Sequence, residues 1–152
     1  MKKKASIYIV SKQFKLDGDF FAPQNEDEKE EKIEISTEGV LSLEDGKLII
    51  SYDETELTGM DGAHTVLEFT TDEPDTVTMT RSGSASTSMI FKENSRCMST
   101  YETGVFPLEM CITTKSVENT LDINGGKIII DYTVEIHGVC MERTYLTVTV
   151  TV

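Results

Sequence analysis

Apolar and polar side chains alternate with a period of two along most of this 152-residue chain. That pattern restricts it to β-strands, because successive side chains of an extended chain point to opposite faces. The clearest row is Ile128, Ile130, Tyr132, Val134 and Ile136, opposed by Asp131, Thr133, Glu135 and His137. Likewise Phe106, Leu108, Met110 and Ile112 oppose Glu109, Cys111 and Thr113, and Leu146, Val148, Val150 and Val152 oppose Thr147, Thr149 and Thr151. Helical periodicity is almost absent. Turn signals separate the rows at Asp45-Gly46, Asp61-Gly62 and Asn124-Gly125-Gly126, and more weakly at Asp17-Gly18 and Ser82-Gly83, where Gly, Asn and Asp accept the positive φ of tight turns. Strands are predicted at residues 4–16, 31–43, 47–54, 63–71, 75–82, 85–93, 97–104, 106–117, 126–138 and 140–151.

Ten such strands leave no room for a substantial helix, and successive hairpins favour an antiparallel meander that closes on itself. The predicted fold is therefore all-β, a calycin or lipocalin-like barrel of about eight to ten strands. A chain of 152 residues is near the commonest size for one domain, so residues 1–152 are read as a single barrel domain.

A formal net charge of -13 and a pI near 4.5 oppose binding to phosphate backbones or anionic lipid, and no stripe of Lys and Arg compensates. Neither nucleic acid nor membrane is expected as a partner. Lys2, Lys3 and Lys4 read as a solvated end that guards an edge strand. No apolar stretch approaches the ~20 residues of a membrane span, and the apolar part of the first strand is too short for a signal peptide, which predicts a cytoplasmic location. Cys97, Cys111 and Cys140 are odd in number and widely spaced, as reduced packing thiols are, so neither a disulfide framework nor a metal site is expected. Residues 25–32, NEDEKEEK, lack the ligand spacing of an EF-hand and read as a surface loop. No cofactor motif occurs.

The phase rule makes its most informative placement at Arg81. Val77 and Met79 share its side of the strand, opposite Thr76, Thr78, Thr80 and Ser82. An inward guanidinium cannot be neutralised by losing its proton, so it requires a carboxylate, a set of carbonyls or an anionic ligand. It is read either as a ligand anchor inside the barrel or as a structural plug at its mouth. His64 and His137 fall on outer faces, and no nucleophile–base pair or other catalytic constellation can be named. Across Thr100-Tyr101-Glu102-Thr103-Gly104-Val105-Phe106-Pro107 the alternation is ambiguous: either Tyr101 and Thr103 or Thr100 and Glu102 face the lumen. In the second case Glu102 is a partner for Arg81. Cys140 is in phase with Leu146.

The runs Thr76-Val-Thr-Met-Thr-Arg81-Ser-Gly83, Thr100-Tyr-Glu-Thr-Gly104-Val-Phe106-Pro107-Leu, Thr113-Thr-Lys115-Ser and Gly125-Gly-Lys127-Ile-Ile-Ile-Asp131-Tyr132 resemble the YwiB-like family of small bacterial proteins of unknown function. The similarity covers roughly residues 33–150 in matching order. It implies a calycin-like β-barrel and carries no catalytic residue across. Trp is absent, whereas lipocalins proper commonly set one against an Arg in the first strand.

Three functions are weighed. The leading one is a binding module for a small, partly apolar or anionic molecule, with Arg81 as anchor and Met79, Met89, Tyr101, Thr103, Phe106, Met110 and Tyr132 around it. The second is an interaction or structural protein with a packed barrel, whose Thr-rich outer faces at residues 76–82 and 145–152 suit a homodimer or another partner. The third, an enzyme built on Arg81 and a carboxylate such as Glu102, ranks last.

Overall fold

The computed structural model describes residues 1–15, 30–54, 62–83, 86–102, 107–136 and 139–152. Ten strands account for nearly all of them: β1 (Lys2–Lys15), β2 (Glu30–Glu44), β3 (Lys47–Asp53), β4 (His64–Thr70), β5 (Thr76–Ser82), β6 (Ser86–Lys92), β7 (Ser95–Glu102), β8 (Pro107–Asn119), β9 (Gly125–Ile136) and β10 (Val139–Thr151). Each pairs antiparallel with the next in sequence, and β1 also pairs with β10, so the sheet is a closed barrel. The predicted meander is the observed topology. Part of the acidic segment at residues 25–32 departs from expectation: Glu30, Glu31 and Lys32 belong to β2, while residues 25–29 and the Asp17-Gly18 signal lie outside the described residues.

β1 closes the barrel. It pairs with β2 from Lys2 opposite Ser42 to Phe14 opposite Glu30, and with β10 from Ser6 opposite Thr151 to Lys15 opposite Glu142. Its Lys-rich start, Lys2 to Lys4, pairs with β2 alone, because the β10 ladder begins at Ser6, so these lysines lie on a short edge that β10 does not cover.

Inside and outside follow the alternation closely in β3, β4 and β6, where buried and more exposed positions alternate strictly. Two irregularities break it, between Thr114 and Ser116 in the β8–β9 ladder and between Cys140 and Glu142 in the β9–β10 ladder. Each inserts an extra residue into one strand. In β8 the phase consequently switches: Met110, Ile112 and Thr114 are buried before the bulge, and Val117 after it. Val152, assigned by phase to the inner row of β10, is 53% exposed because the strand has ended.

The two poles of the barrel differ. At one, short connections join the strands, with Asp45 at φ 51° and Asn94 at φ 59° in the left-handed region. Leu41, Leu48, Val77, Phe91, Ile128 and Val148 fill the lumen there, all buried almost completely. The connections at the opposite pole span residues 16–29, 54–63, 83–85, 103–106 and 137–138 and fall largely outside the described residues. A barrel of about eight strands is just wide enough for side chains to fill, and diameter grows with strand number, so a ten-stranded barrel has room for a cavity where its inward side chains do not meet.

Gly39 reports how tightly the closed wall is coiled. A Cβ there would fall on the Ser51 carbonyl oxygen and the Ile7 side chain. Gly39→Ala should cost about 2 kcal/mol or more, lowering Tm by roughly 5 °C; an unchanged Tm in thermal denaturation would refute this account of the wall.

Candidate functional site

The pole opposite the short turns, here termed the wide pole, holds a cavity of about 220 Å³ that is partly open to solvent. Strand ends position its lining. Ile9 of β1, Ile33 and Ile35 of β2, Met79 of β5, Met89 of β6 and Leu146 of β10 supply the apolar wall. The polar wall consists of Ser11 and Gln13 of β1, Tyr52 of β3, Glu54 just beyond it, Arg81 of β5, Tyr132 of β9 and Glu142 of β10. Tyr132 meets Phe91 beneath it with ring centroids 4.6 Å apart and planes tilted by 51°.

Three of the sequence-predicted residues, Met79, Arg81 and Tyr132, come together here. Met89 joins them, while Met110 is buried in the core and not on this cavity. Tyr101 occupies β7 opposite Thr87, but its side chain, like that of Glu102, lies outside the described part of the structure. Thr103, Phe106 and His137 lie outside the described residues altogether. His64 is on the outer face as expected, 2.9 Å from Asp53.

The partner of Arg81 is Glu54, which the sequence reading did not single out. Arg81 Nε stands 3.4 Å from Glu54 Oε1, with the Glu54 side chain 1% exposed and that of Arg81 25% exposed. Two unit charges at that separation attract by about 5 kcal/mol at an effective dielectric of ~20, an upper bound at a site partly open to water. The contact is one of charge: Nε lacks the alignment of a hydrogen bond and is buried without a hydrogen-bonded acceptor. Thr65 Oγ1 donates to the same Glu54 oxygen at 2.5 Å, fixing the carboxylate from the neighbouring strand. The signal for Glu54 was present in the row Leu48, Ile50, Tyr52, Glu54, in which a carboxylate continues an apolar phase by one step. Glu142, at the bulge of β10, accepts from Thr144 Oγ1 at 3.2 Å.

Both cavity tyrosines are held in their neutral form. Burial pushes the Tyr52 phenol up strongly, and the charge of Glu54 adds to this, while the charge of Arg81 and hydrogen bonds with Thr65 and Arg81 oppose it. Burial likewise pushes Tyr132 up, against a hydrogen bond with Thr144 and the charge of Arg81, and with the charge of Glu142. Arg81 thus lies within electrostatic reach of both rings.

Two further charge contacts sit on the outer face. Arg143 grips Asp131 with Nε to Oδ1 at 3.0 Å and Nη2 to Oδ2 at 2.7 Å, so Asp131, expected at the surface, is covered from outside the barrel. Arg96 bonds Glu135 at 2.8 Å and donates to Cys111 Sγ at 2.6 Å, which buries an outward-facing thiol under a guanidinium. Among the described residues no group of three or more His, Cys, Asp or Glu is arranged to hold a metal ion, and no helix is long and apolar enough to cross a membrane.

The raised tyrosine pKa values have a definite sign in stability. An unfolded chain ionises its phenols near pH 10, whereas folded Tyr52 and Tyr132 keep their protons to higher pH. The native state then binds more protons than the unfolded one, so stability is complete below about pH 10 and falls as pH rises beyond it. Ultraviolet titration should show two of the five tyrosines ionising late, with the alkaline unfolding transition. Tyr52→Phe and Tyr132→Phe should each remove one late-titrating phenol; five phenols ionising together near pH 10 would contradict the burial.

The match to known proteins concerns fold and family. No curated protein matches the chain. The barrel is similar to the crystal structure of the ywiB protein from Bacillus subtilis, with a TM-score of 0.73 and 21% identity over 97% of this chain and 92% of that one. At that identity the likeness is one of fold, and it agrees with the family resemblance of the Arg81, Gly104 and Gly125 segments. Residues 22–148 match the family described as a domain of unknown function, DUF1934, and the chain belongs to that family.

Proposed function

We propose that the chain is a cytoplasmic, calycin-like binding barrel that takes one small, partly apolar molecule at its wide pole, with Arg81 as the polar anchor and Met79, Met89 and Tyr132 among the walls. The cavity carries this reading. Protein interiors are packed about as densely as organic crystals, yet about 220 Å³ stands open here between aliphatic and thioether groups on one side and a guanidinium on the other. At ~24 cal/mol per Å³, an empty apolar cavity of that size would cost on the order of 5 kcal/mol; the polar wall and the opening to solvent reduce that figure. The volume is below the ~300 Å³ at which pockets for drug-sized ligands begin, so the occupant is small. Met79 and Met89, flexible and polarisable, suit a wall that adapts to a guest.

An enzyme reading is less well supported, because Glu54 is engaged by Thr65 and Arg81 and serves to hold the anchor in place. Native mass spectrometry of the protein as purified should show an added mass that is released on denaturation. Val134→Phe projects a ring into the cavity without touching the charge pair, and that variant should lose the added mass while keeping its fold. A bare polypeptide mass in the wild type, with Val134→Phe simply more stable, would make the cavity a packing defect and direct the search to protein partners.

A further inference from the structure

We infer that the outer face of β1 and β10 is a platform for single-stranded nucleic acid, whose bases stack on Tyr8 and Tyr145 and whose phosphates meet the lysines around them. The inference concerns the outside of the barrel and does not depend on the cavity. Ala5, Ile7 and Ile9 of β1 enter the core, so Lys2, Lys4, Tyr8, Lys12 and Phe14 face out. On β10, Leu146, Val148 and Val150 enter the core, so Arg143, Tyr145, Thr147 and Thr149 face out. No outward position of either stretch carries a carboxylate, in a chain with 27 Asp and Glu against 14 Lys and Arg.

No run of Lys and Arg marks this stripe along the chain, because register assembles it. Lys127 of β9 stands opposite Thr149, which stands opposite Tyr8; Lys12 stands opposite Tyr145, and Phe14 opposite Arg143. Facing side chains so paired interact, which sets a cation beside each of the last two rings. Lys2, Lys4, Lys12 and Lys127 form no salt bridge with a described residue. Of the carboxylates that border the stripe, Asp131 is held by Arg143, Glu135 by Arg96, and Glu34 by Lys32 and Tyr8. The formal net charge of -13 belongs to the whole surface, and salt screens its more distant parts beyond a Debye length of ~8 Å, so the local cations govern a bound strand.

The rings decide which polyanion fits. Tyr8 and Tyr145 are 42% and 39% exposed, and they are the two exposed aromatic residues among the described side chains. Any base can stack on an exposed ring, whereas an acidic peptide brings charge and nothing that needs the rings. Tyr8 faces Thr149, four residues from Tyr145, so the rings stand about 13 Å apart along the strands, a span that one strand bridges with a few nucleotides. The stripe is also narrow. Two strands cover only ~10 Å, and Glu34 and Glu38 of β2 stand at its margin opposite Val10 and Ser6, so a single strand laid lengthwise fits where a duplex would overhang carboxylates.

Fluorescence anisotropy with labelled short oligouridylate and oligothymidylate, beside a labelled polyglutamate peptide, tests this directly. At least one oligonucleotide should bind the wild type, and its affinity should fall roughly 10–20-fold between about 50 and about 200 mM salt if some three phosphates are met. Tyr8→Ala and Tyr145→Ala should each weaken binding about fivefold or more, while Tyr8→Phe and Tyr145→Phe, which keep the ring, retain most of it. The double variant Lys4→Glu with Lys12→Glu should lose binding and keep its thermal unfolding transition, since neither side chain enters the core. A preference for the ribose or the deoxyribose strand supports the inference in either direction and names the source. It is overturned if neither oligonucleotide binds, if both Tyr→Ala variants bind as the wild type does, or if polyglutamate binds more tightly, which would assign the face to an acidic protein partner.

Discussion

Everything else in this molecule depends on β1 having a partner on both sides. A strand paired along both edges leaves few backbone donors or acceptors open in the plane of the sheet. Ten strands joined in one ring, most sparingly between β6 and β7 where only Ser86–Glu102 and Thr87–Tyr101 pair, make a wall with one inside and one outside. Alternation along each strand then becomes a sorting rule: one phase enters the lumen, and the other meets water. The inward side chains do not fill the lumen evenly. They fill it at the pole of short turns, where Leu41, Leu48, Val77 and Phe91 converge, and leave a cavity at the other.

The charged pair in that cavity follows from the same geometry. Arg81 sits at an inward position near the end of β5, where the strand is leaving the packed core, and its guanidinium must be satisfied in place. Glu54 does this from across β4, steadied by Thr65 on the intervening strand, so three consecutive strands contribute to one polar cluster. A buried pair of this kind is weak evidence of stability, since apolar residues of similar size often serve as well. Its value lies in fixing the position of a guanidinium that lines the cavity.

Local patterning revealed the barrel and the inward side of Arg81, because both depend only on parity along a strand. Glu54 continues the phase of Leu48, Ile50 and Tyr52, but a carboxylate at a strand end ordinarily faces water, and only the placement of Thr65 on the next strand and Arg81 on the one beyond gives it partners inside the barrel. Asp131 and Cys111 fall on the outer phase as their spacing dictates, and are buried nonetheless because Arg143 and Arg96 fold over them from adjacent strands. The bulges at Thr114/Ser116 and Cys140/Glu142 change parity within a strand without any Gly or Pro to mark the step.

The closure seam also fixes where the ends of the described chain emerge. Since Ser6 faces Thr151, and the backbone amide of Leu43 reaches the carbonyl of Met1, both ends leave the barrel at the pole of short turns, beside one another and far from the cavity. The strand order is in effect a ring cut at one seam, with the described ends beside the packed core and the cavity at the far end of the barrel axis.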